Sequence, residues 1–544
     1  MTHHTCSMAR VVVLLSSLCA LWLTQGTRAN AQTTTATTTT SLSGQIVFIE
    51  NGPVSGTVTA DGRKFLGIPY AKPPVGALRW KAPVAPANWT TIRDATKFGS
   101  ACPQNPSPFG VPSTNEDCLF VNVYTPPAGL LRKDPVLVWI HPGAFLSGTG
   151  NDFDPKQFVK KNLVVVTLNY RLGALGWLAH PSLTTEGSGS SGNYGLFDQQ
   201  AVLRWVKKNI SKFGGDPDKV TIAGESAGGV SVHAHMVSPG SAGKFQRAIV
   251  QSGTYTLTPP TVAASEPFGT TFAGAVGCAS GDLACLRAVP VATVLASQGT
   301  NINAFVPRVD GSTLPRTFLD AFKTGQFNRV SVLEGNTHDE FTLFVSLLFT
   351  LQNIPINATT YPGAIAALLG LQPPVADQVV PLIIQQYPLA NYPKPELALA
   401  AVGTDAVFAC TTHAATQLLT LWVQLWRYEF DDPDAPQLYL PPVPYPYGAY
   451  HGSELQYLFD VREPIPGDLN TSQKQLSDAM VTHWSNFVRL GNPNTVPTVW
   501  QRYQPPLLDR VQLLTPPQPQ AYTGTTFATD HKCAFWTALS SGGS

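Results

Sequence analysis

Six short apolar runs, separated by stretches with helical periodicity, constrain the fold of this chain more than any other feature. They cover residues 136–140, 163–168, 220–223, 248–250, 330–333 and 425–430. Mostly apolar runs of this length are typical of parallel strands that helices cover on both faces. The pattern therefore predicts an α/β fold with a large, mostly parallel central sheet flanked by helices. In such sheets, functional residues gather at the carboxyl ends of the strands.

The region before these runs has a different pattern. Residues Gln45 to Tyr70 indicate small antiparallel strands, with turns at Asn51-Gly52 and Asp61-Gly62, and Leu119 to Tyr124 is one more extended run. No repeat with a period of about 20 to 50 residues occurs, and no linker divides the interior. We therefore predict a single domain over residues 44–540.

The beginning of the chain has the parts of a secretory signal. Arg10 precedes an apolar stretch from Val11 to Leu23, and Ala29-Asn30-Ala31 forms a small-residue cleavage site. The apolar stretch is shorter than the roughly 20 residues that cross a bilayer. We expect residues 1–31 to be removed and the protein to be secreted, without a membrane span. Residues 32–43 are rich in threonine and serine, which predicts a disordered segment, either an O-glycosylated tether or a plain spacer.

Cysteine and sequon content agree with export. Six cysteines follow the predicted signal, an even number that favours disulfides over free thiols, with 15 possible pairings. Without a C-x-x-C or H-x-x-x-H motif, we expect neither a metal site nor a cofactor. Four N-glycosylation sequons begin at Asn88, Asn209, Asn357 and Asn470, of which Asn209 lies in an amphipathic, helix-like segment where packing competes.

The charge balance excludes one class of partner. Lysine and arginine number 35 and the acidic residues 34, a formal net charge of +1. Such a balance gives no basic surface for a nucleic acid, so we expect a small-molecule partner. Nothing in the sequence indicates an oligomeric state.

Ser226 is the strongest candidate for chemistry. It lies in the G-x-S-x-G pattern of Gly224 to Gly228, directly after the apolar run that ends at Ala223 and before a helix-like stretch. The five-residue pattern alone is weak, since roughly 0.3 chance matches are expected in a chain of this composition. A strand, a sharp turn and a helix around the serine are, however, the context in which it is held as a nucleophile.

A serine nucleophile needs a neutral imidazole within hydrogen-bond reach and an acid that holds the ring in the right tautomer. Glu340, just past a strand end, and His451, past the last strand, follow Ser226 in the order serine, acid, histidine. Order alone does not select them, because Asp339 is a second candidate acid. Other histidines also follow the serine: His233, His235, His338, His413, His483 and His531.

Several separate motifs resolve this choice through a family resemblance. The segments are FGGDP at 213–217 with VTIAGESAGG at 220–229, EDCLFVNVYTP at 116–126, FLGIPYA at 65–71, NYRLG at 169–173 and GNYGLFDQ at 192–199. Together they resemble the type-B carboxylesterase, lipase and cholinesterase family of α/β-hydrolases, over about residues 44 to 536. The resemblance implies an α/β-hydrolase fold and a serine carboxylic-ester hydrolase.

By that resemblance, Glu340 is the triad acid and His451 the base. Phe341 stands where the family usually has glycine. The family's oxyanion-hole donors correspond to the amides of Gly143, Ala144 and Ala227, and Pro142, which has no N–H, falls outside that set. Carboxylates at Glu225 and Glu454 and the hydroxyl of Ser252 are expected to support the triad.

The resemblance also implies structural pairs. It assigns disulfides Cys102–Cys118, Cys278–Cys285 and Cys410–Cys533, and an ion pair between Arg79 and Glu116.

The loop between Cys102 and Cys118 bears on the substrate. It holds only Phe109 and Val111 as large apolar residues, whereas lipases of the family have a long amphipathic flap there. It also lacks the tryptophan with which cholinesterases stack a quaternary ammonium. We therefore expect a carboxylesterase without interfacial activation. A lipase or sterol esterase, a feruloyl esterase, and a non-catalytic cholinesterase-like binding module are the alternatives.

Overall fold

The computed structural model describes residues 44–129, 132–278, 282–299, 304–461, 468–496 and 499–541. The predicted signal and the threonine-rich segment lie outside these residues. The strands in the described part are β1 (Ile46–Ile49), β2 (Gly52–Ser55), β3 (Thr57–Thr59), β4 (Gly62–Pro69), β5 (Arg93–Asp94), β6 (Phe120–Thr125), β7 (Asp134–Ile140), β8 (Phe153–Asp154), β9 (Val164–Leu168), β10 (Gly215–Glu225), β11 (Arg247–Gln251), β12 (Ser331–Thr337), β13 (Leu425–Phe430), β14 (Asp460–Val461), β15 (Val511–Leu514) and β16 (Gln520–Tyr522).

Eleven of these strands form one sheet, in the order β16-β15-β13-β12-β11-β10-β7-β9-β6-β4-β3. From β15 to β9 every neighbouring pair is parallel, and the pairs at both ends of the sheet are antiparallel. The predicted mostly parallel α/β sheet is therefore confirmed. All six apolar runs coincide with strands of this sheet, because side chains buried on both faces leave no polar alternation.

The N-terminal strands also follow their turn signals. β1 and β2 pair across Asn51-Gly52 in a small separate sheet with β5. β3 and β4, joined at Asp61-Gly62, are instead part of the large sheet, at its edge. The two C-terminal strands β15 and β16 were not predicted, because each is a run of only three or four residues.

Helices cover both faces of the sheet. They are α1 (Lys156–Lys160), α2 (Gly173–Trp177), α3 (Pro181–Glu186), α4 (Tyr194–Asn209), α5 (Ala227–Val237), α6 (Val262–Ala275), α7 (Leu283–Ala288), α8 (Val291–Ser297), α9 (Phe318–Thr324), α10 (Phe341–Leu348), α11 (Tyr361–Leu369), α12 (Val375–Gln386), α13 (Pro395–Gly403), α14 (Cys410–Leu419), α15 (Thr471–Leu490), α16 (Gly524–Asp530) and α17 (Cys533–Ser541).

Strand β7 shows how the sheet divides the core. Val136 and Val138 are buried in a cluster with residues of α4 and α5. Leu137 and Trp139 point to the opposite face and are buried with residues of α15. Successive side chains of a strand alternate between faces, so two apolar clusters hold helices against this one strand.

Three disulfides form with the pairing that the resemblance implied. Cys102–Cys118, Cys278–Cys285 and Cys410–Cys533 have Cα–Cα distances of 4.8, 5.7 and 5.1 Å. The implied ion pair is also present, since Arg79 Nη2 lies 2.6 Å from Glu116 Oε2. The first disulfide and this ion pair together brace the 102–118 loop.

The sequon asparagines differ in exposure. Asn88, Asn357 and Asn470 are exposed. Asn209 is 1% exposed: its side-chain nitrogen donates to Trp205 O and its oxygen accepts from the backbone N–H of Glu50 at 2.8 Å. A glycan requires an accessible amide nitrogen, so the burial of Asn209 agrees with the packing that competes at this sequon and argues against it as an acceptor.

One helical segment of the described residues, Pro395–Leu419, is long and apolar enough to cross a membrane by length and composition. It consists of α13, a π-helical stretch over Thr404–Ala409, and α14. Core helices of globular proteins pass the same criterion, and 56% of its apolar window is buried inside the fold. Asp405 and other polar residues interrupt the segment, so it contains no uninterrupted apolar run of membrane-spanning length.

Candidate active site

Ser226 lies at the point where β10 ends and α5 begins. Its backbone angles, φ 53° and ψ −120°, are in a region that residues other than glycine rarely adopt. The chain pays for this turn with about 1 to 3 kcal/mol of strain, which is common at functional sites. The serine is thus held at the carboxyl edge of the central sheet, as the sequence predicted.

Two glycines make the sharp turn possible. A Cβ on Gly224 would lie 2.4 Å from the carbonyl carbon of Gly228, and a Cβ on Gly228 would lie 2.0 Å from Ile140 O. Both distances are far below van der Waals contact. Strand, helix and the end of β7 therefore approach one another closely only because both positions lack a side chain.

Strand pairing brings the other candidate residues to the same edge. Gly224 pairs with Ile140, so the loop 141–145 begins beside the Ser226 turn. On the other side, β11, β12 and β13 follow in order, and Glu340 and His451 come from the loops after β12 and β13. The carboxyl ends of adjacent parallel strands thus collect residues that are far apart in the chain.

Glu340 and His451 are in direct contact. Nδ1 of His451 lies 2.5 Å from Oε2 of Glu340, while Oε1 of Glu340 accepts a hydrogen bond from the Thr337 amide at 3.0 Å. Glu340 is fully buried and the ring is nearly so. Asp339, the other candidate acid, contacts Ala449 and His338 and makes no hydrogen bond to His451 among the described residues. The geometry therefore favours Glu340 as the acid.

Phe341 fits this loop despite the family's preference for glycine. It begins α10 with an ordinary helical conformation, so the position does not require glycine. A Cβ on Gly403 would lie 2.3 Å from the Phe341 ring, which shows that Gly403 provides the space for the phenyl group.

The other ring nitrogen of His451, Nε2, has a second carboxylate beside it. His451 Nε2 lies 3.2 Å from Glu225 Oε1. Among the described residues, no hydrogen bond joins the Ser226 hydroxyl to the ring. The Tyr255 hydroxyl lies near the Ser226 side chain. His451 thus lies between Glu340 and Glu225.

These carboxylates set the protonation of the ring. Burial lowers the pKa of His451, but the negative charges of Glu225 and Glu340 outweigh burial and raise it from 6.5 to about 9. Burial likewise raises the pKa of Glu225 well above 4.5, although His451 opposes this rise. The protonation of the imidazole and that of Glu225 therefore depend on each other.

The expected oxyanion donors are available. The amides of Gly143, Ala144 and Ala227 donate no hydrogen bond within the described residues. Gly143, Ala144 and Phe145 have positive φ angles of 118°, 54° and 60°, which gives this loop a strained, defined path beside the Ser226 turn. Unengaged amides at this edge are what a developing oxyanion requires.

The supporting residues are only partly as expected. Glu454 is fully buried and accepts a hydrogen bond from Gln251 Nε2 at 2.9 Å, and Gln251 in turn accepts one from Trp484. Ser252 does not join this network, because its buried hydroxyl has no partner among the described residues. Gln251, at the end of β11, was not predicted, since no sequence motif distinguishes it.

Aromatic side chains surround the histidine. The rings of Phe344 and Phe408 each lie 5.0 Å from the His451 ring, and Tyr255 lies 5.5 Å from Phe408. Tyr439 contacts Phe109 of the 102–118 loop at 5.4 Å and approaches Gly452. Tyr255, Phe408 and Tyr439 had no predicted role, because their contacts form only in the folded chain.

The 102–118 loop is held by polar contacts. Gln104 is buried and exchanges hydrogen bonds with Gly148, accepting from its amide at 2.8 Å and donating to its carbonyl at 3.0 Å. Ser113 donates to Ala101 O, and Asn105 donates to Leu295 O. Phe109 is its main apolar contact with the rest of the site.

The other histidines lie elsewhere. His233 and His235 are buried in α5, and His413 bonds to Arg427 and His483 to Pro493. A cluster beside the Glu340 loop has the residue types that can bind a metal ion. The ligand atoms of His338, Asp530 and His531, or of His338, Asp339 and Asp431, lie within 4.8 Å of one another.

Comparisons with known proteins agree with this geometry. A model of the carboxylesterase family matches residues 43–536. Para-nitrobenzyl esterase of Bacillus subtilis (strain 168) is 36% identical, covering 84% of this chain and 92% of that protein, and acylcarnitine hydrolase of Mus musculus is 34% identical over 79% of each. A solved structure of a thermophilic PNB esterase superposes with a TM-score of 0.75 at 31% identity, covering 90% of this chain and 100% of that one.

Proposed function

Because this chain belongs to the carboxylesterase family and is a carboxylic-ester hydrolase, we propose that it acts through an acyl-enzyme on Ser226, with His451 as the base and Glu340 as the acid. The observation that carries this proposal is the 2.5 Å contact between His451 Nδ1 and Glu340 Oε2 beside the strained Ser226 turn. That contact places a proton on Nδ1 and leaves Nε2 as the basic nitrogen.

The reaction follows from these positions. The Ser226 hydroxyl turns from Tyr255 toward His451 Nε2, gives up its proton there, and its oxygen bonds to the ester carbonyl carbon. The carbonyl oxygen takes up the negative charge, which the three free amides stabilise, each contributing about 3 kcal/mol. The intermediate then expels the alcohol, which takes the proton from Nε2. Water attacks the acyl-enzyme in the same way, giving its proton to Nε2 and releasing the carboxylic acid and Ser226.

The first experiment compares purified wild type with Ser226→Ala on p-nitrophenyl acyl esters. We expect the variant to lose about four or more orders of magnitude in kcat, because no other group replaces the nucleophile. A non-catalytic binding module would show no hydrolysis in either protein, and retained hydrolysis in the variant would place the nucleophile elsewhere.

We also propose that the enzyme needs no oil surface for activity. The hydrogen bonds of Gln104, Ser113 and Asn105 hold the 102–118 loop, and the loop has little apolar area to expose. Rates measured with a triglyceride below and above its solubility test this. We expect a smooth dependence on concentration, and a jump at the onset of emulsion would contradict it.

An aromatic group in the ester is the substrate feature that this site favours. Phe344 and Phe408 each lie 5.0 Å from the His451 ring, and Tyr255 packs against Phe408, so aromatic side chains line this part of the site. A relative named for para-nitrobenzyl esters agrees with such a preference. Ring–ring contacts contribute about 0.5 to 1.5 kcal/mol beyond burial, which corresponds to a factor of roughly 2 to 12.

Two acetates with alcohol groups of similar size, one aromatic and one aliphatic, distinguish an effect of aromaticity from an effect of size. We expect benzyl acetate to have a kcat/KM several-fold above that of cyclohexylmethyl acetate, and Phe344→Leu to reduce this ratio toward one. Equal kcat/KM values for the two acetates in the wild type would contradict a preference for aromatic groups. Methyl ferulate and a sterol ester in the same panel test the feruloyl and sterol esterase alternatives.

Export of the protein is a further part of the proposal. Three disulfides and three exposed sequon asparagines suit an oxidising, secretory compartment. Expression in a eukaryotic host with and without residues 1–31 tests it. We expect the full chain in the medium and the truncated chain inside the cell, and equal distribution of the two would contradict secretion.

A further inference from the structure

A second set of contacts, separate from the Glu340–His451 pair, joins the loop after β12, which carries Glu340, to the loop after β13, which carries His451. The amide of Asp339 donates to Ala449 O, and Asp339 Oδ2 accepts from the Ala449 amide, both at 2.9 Å. Thr342 Oγ1 adds to this link by donating to Tyr447 O at 2.6 Å. Ala449 is two residues before His451, so these bonds fix the backbone that carries the base.

The fit between Asp339 and this backbone is close. A Cβ on Gly448 would lie 2.2 Å from Asp339 Oδ2, and Gly448 has a φ of 64°, which glycine adopts without strain. The carboxylate therefore packs directly on the peptide before Ala449.

The other oxygen of Asp339 is held from the opposite side. His338 Nδ1 lies 3.1 Å from Asp339 Oδ1, and His338 Nε2 lies 3.2 Å from Oδ2 of Asp530, at the end of α16. Burial lowers the pKa of His338, but hydrogen bonds to these two carboxylates outweigh it and raise the pKa well above 6.5. Glu429 and Asp431 also face this ring, and the ring of His531 lies 5.3 Å away.

These contacts assign Asp339 a specific task. We propose that Asp339 is a positioning residue for His451: it clasps the 447–449 backbone to the acid loop, with His338 and Asp530 holding its carboxylate in place. The inference rests on the proposed role of His451 as the base. The Glu340 contact fixes one ring nitrogen, whereas the clasp fixes the backbone that sets where Nε2 lies. Misplacing a catalytic group by about 1 Å is enough to cost on the order of a hundredfold in rate.

Asp339→Ala and Asp339→Asn test the clasp, and Asp431→Asn is the matched control. Asp431 contributes a carboxylate to the same His338 environment, but none of the described hydrogen bonds joins its side chain to residues 447–452. The asparagine at 339 retains an oxygen that can accept from the Ala449 amide, so it restores part of the function. Each protein is assayed with p-nitrophenyl acetate, and its active sites are counted by the initial burst of p-nitrophenol.

We expect Asp339→Ala to lower kcat per titrated site about 10- to 100-fold with KM within about threefold. Asp339→Asn should lose less, and Asp431→Asn should stay within about twofold of the wild type. A merely structural role would lower the number of titrated sites and the melting temperature while leaving kcat per site unchanged.

Two outcomes would overturn the proposal: unchanged kcat per site in Asp339→Ala, or equal losses in Asp339→Ala and Asp431→Asn. If Asp339→Ala does not fold, Asp339→Asn and His338→Gln carry the same comparison, and unchanged kcat per site in both overturns it. Failure of the proposed function is recognised separately, because Ser226→Ala would then hydrolyse the ester as the wild type does.

Discussion

Replacing Glu225 with glutamine should move the acid limb of the pH–rate profile to lower pH. Glu225 Oε1 lies 3.2 Å from His451 Nε2, and its charge, with that of Glu340, raises the pKa of His451 to about 9. The base acts only when it is neutral, so activity is lost as the pH falls through that pKa. Glu225→Gln removes one of the charges that stabilise the imidazolium, and the ring then stays neutral at lower pH.

The distance gives the size of this shift. Two unit charges at this separation interact by about 1.3 kcal/mol in bulk water and by about 5 kcal/mol at an effective dielectric constant of about 20. A change of one unit in the His451 pKa corresponds to about 1.4 kcal/mol. The two interaction energies therefore correspond to shifts of roughly one and four pH units. Burial raises the pKa of Glu225 itself, which favours the lower part of this range. We therefore expect a shift of about one to two pH units.

The measurement is kcat/KM against pH, from about pH 5 to 10, followed by acid release in a pH-stat so that the indicator does not titrate. Glu454→Gln serves as the graded control. It removes a buried carboxylate that also raises the His451 pKa, but more weakly than Glu225 does. We expect a smaller shift in the same direction. An acid limb that stays in place in Glu225→Gln, or that moves to higher pH, would refute this electrostatic reasoning.

Three further predictions concern stability and modification. Replacing Cys102 and Cys118 by alanine should cost about 3 kcal/mol of unfolding free energy, because the disulfide closes a loop of roughly 15 residues; denaturant titration measures this, and unchanged stability would contradict it. Phe341→Ala should cost about 3 to 5 kcal/mol because it empties a buried site, whereas a loss below about 1 kcal/mol would show that the ring is not packed. Peptide mapping of protein from a secretory host should find no glycan on Asn209, and a glycan there would contradict its burial.

The sequence predicted the central sheet well because its strands are buried on both faces. Such strands need apolar side chains at nearly every position, and β9 (Val164–Leu168) begins within one residue of the predicted run 163–168 and ends with it. The short edge strand β16 lacks this signature, since two of its three residues are exposed. Local pattern therefore predicts an element only where burial demands a distinctive composition.

Some residues of the candidate site could likewise be recognised from the local sequence, and others could not. Ser226 was recognisable from its neighbours, because the strand, turn and helix around it are contiguous in sequence. The preference for Glu340 over Asp339 came from family resemblance, and in the structure Glu340, and not Asp339, contacts His451. Tyr255 joins the site only through side-chain contacts between separate segments, which no local pattern records.

The central claim is that Ser226 is the nucleophile that His451 and Glu340 activate. Labelling with an alkyl fluorophosphonate, followed by peptide mapping, tests it most directly. We predict one label per molecule, on the peptide that contains Ser226, with no label in Ser226→Ala and labelling slowed by at least about a hundredfold in His451→Gln. Stoichiometric label on another residue, or undiminished labelling in His451→Gln, would contradict the account.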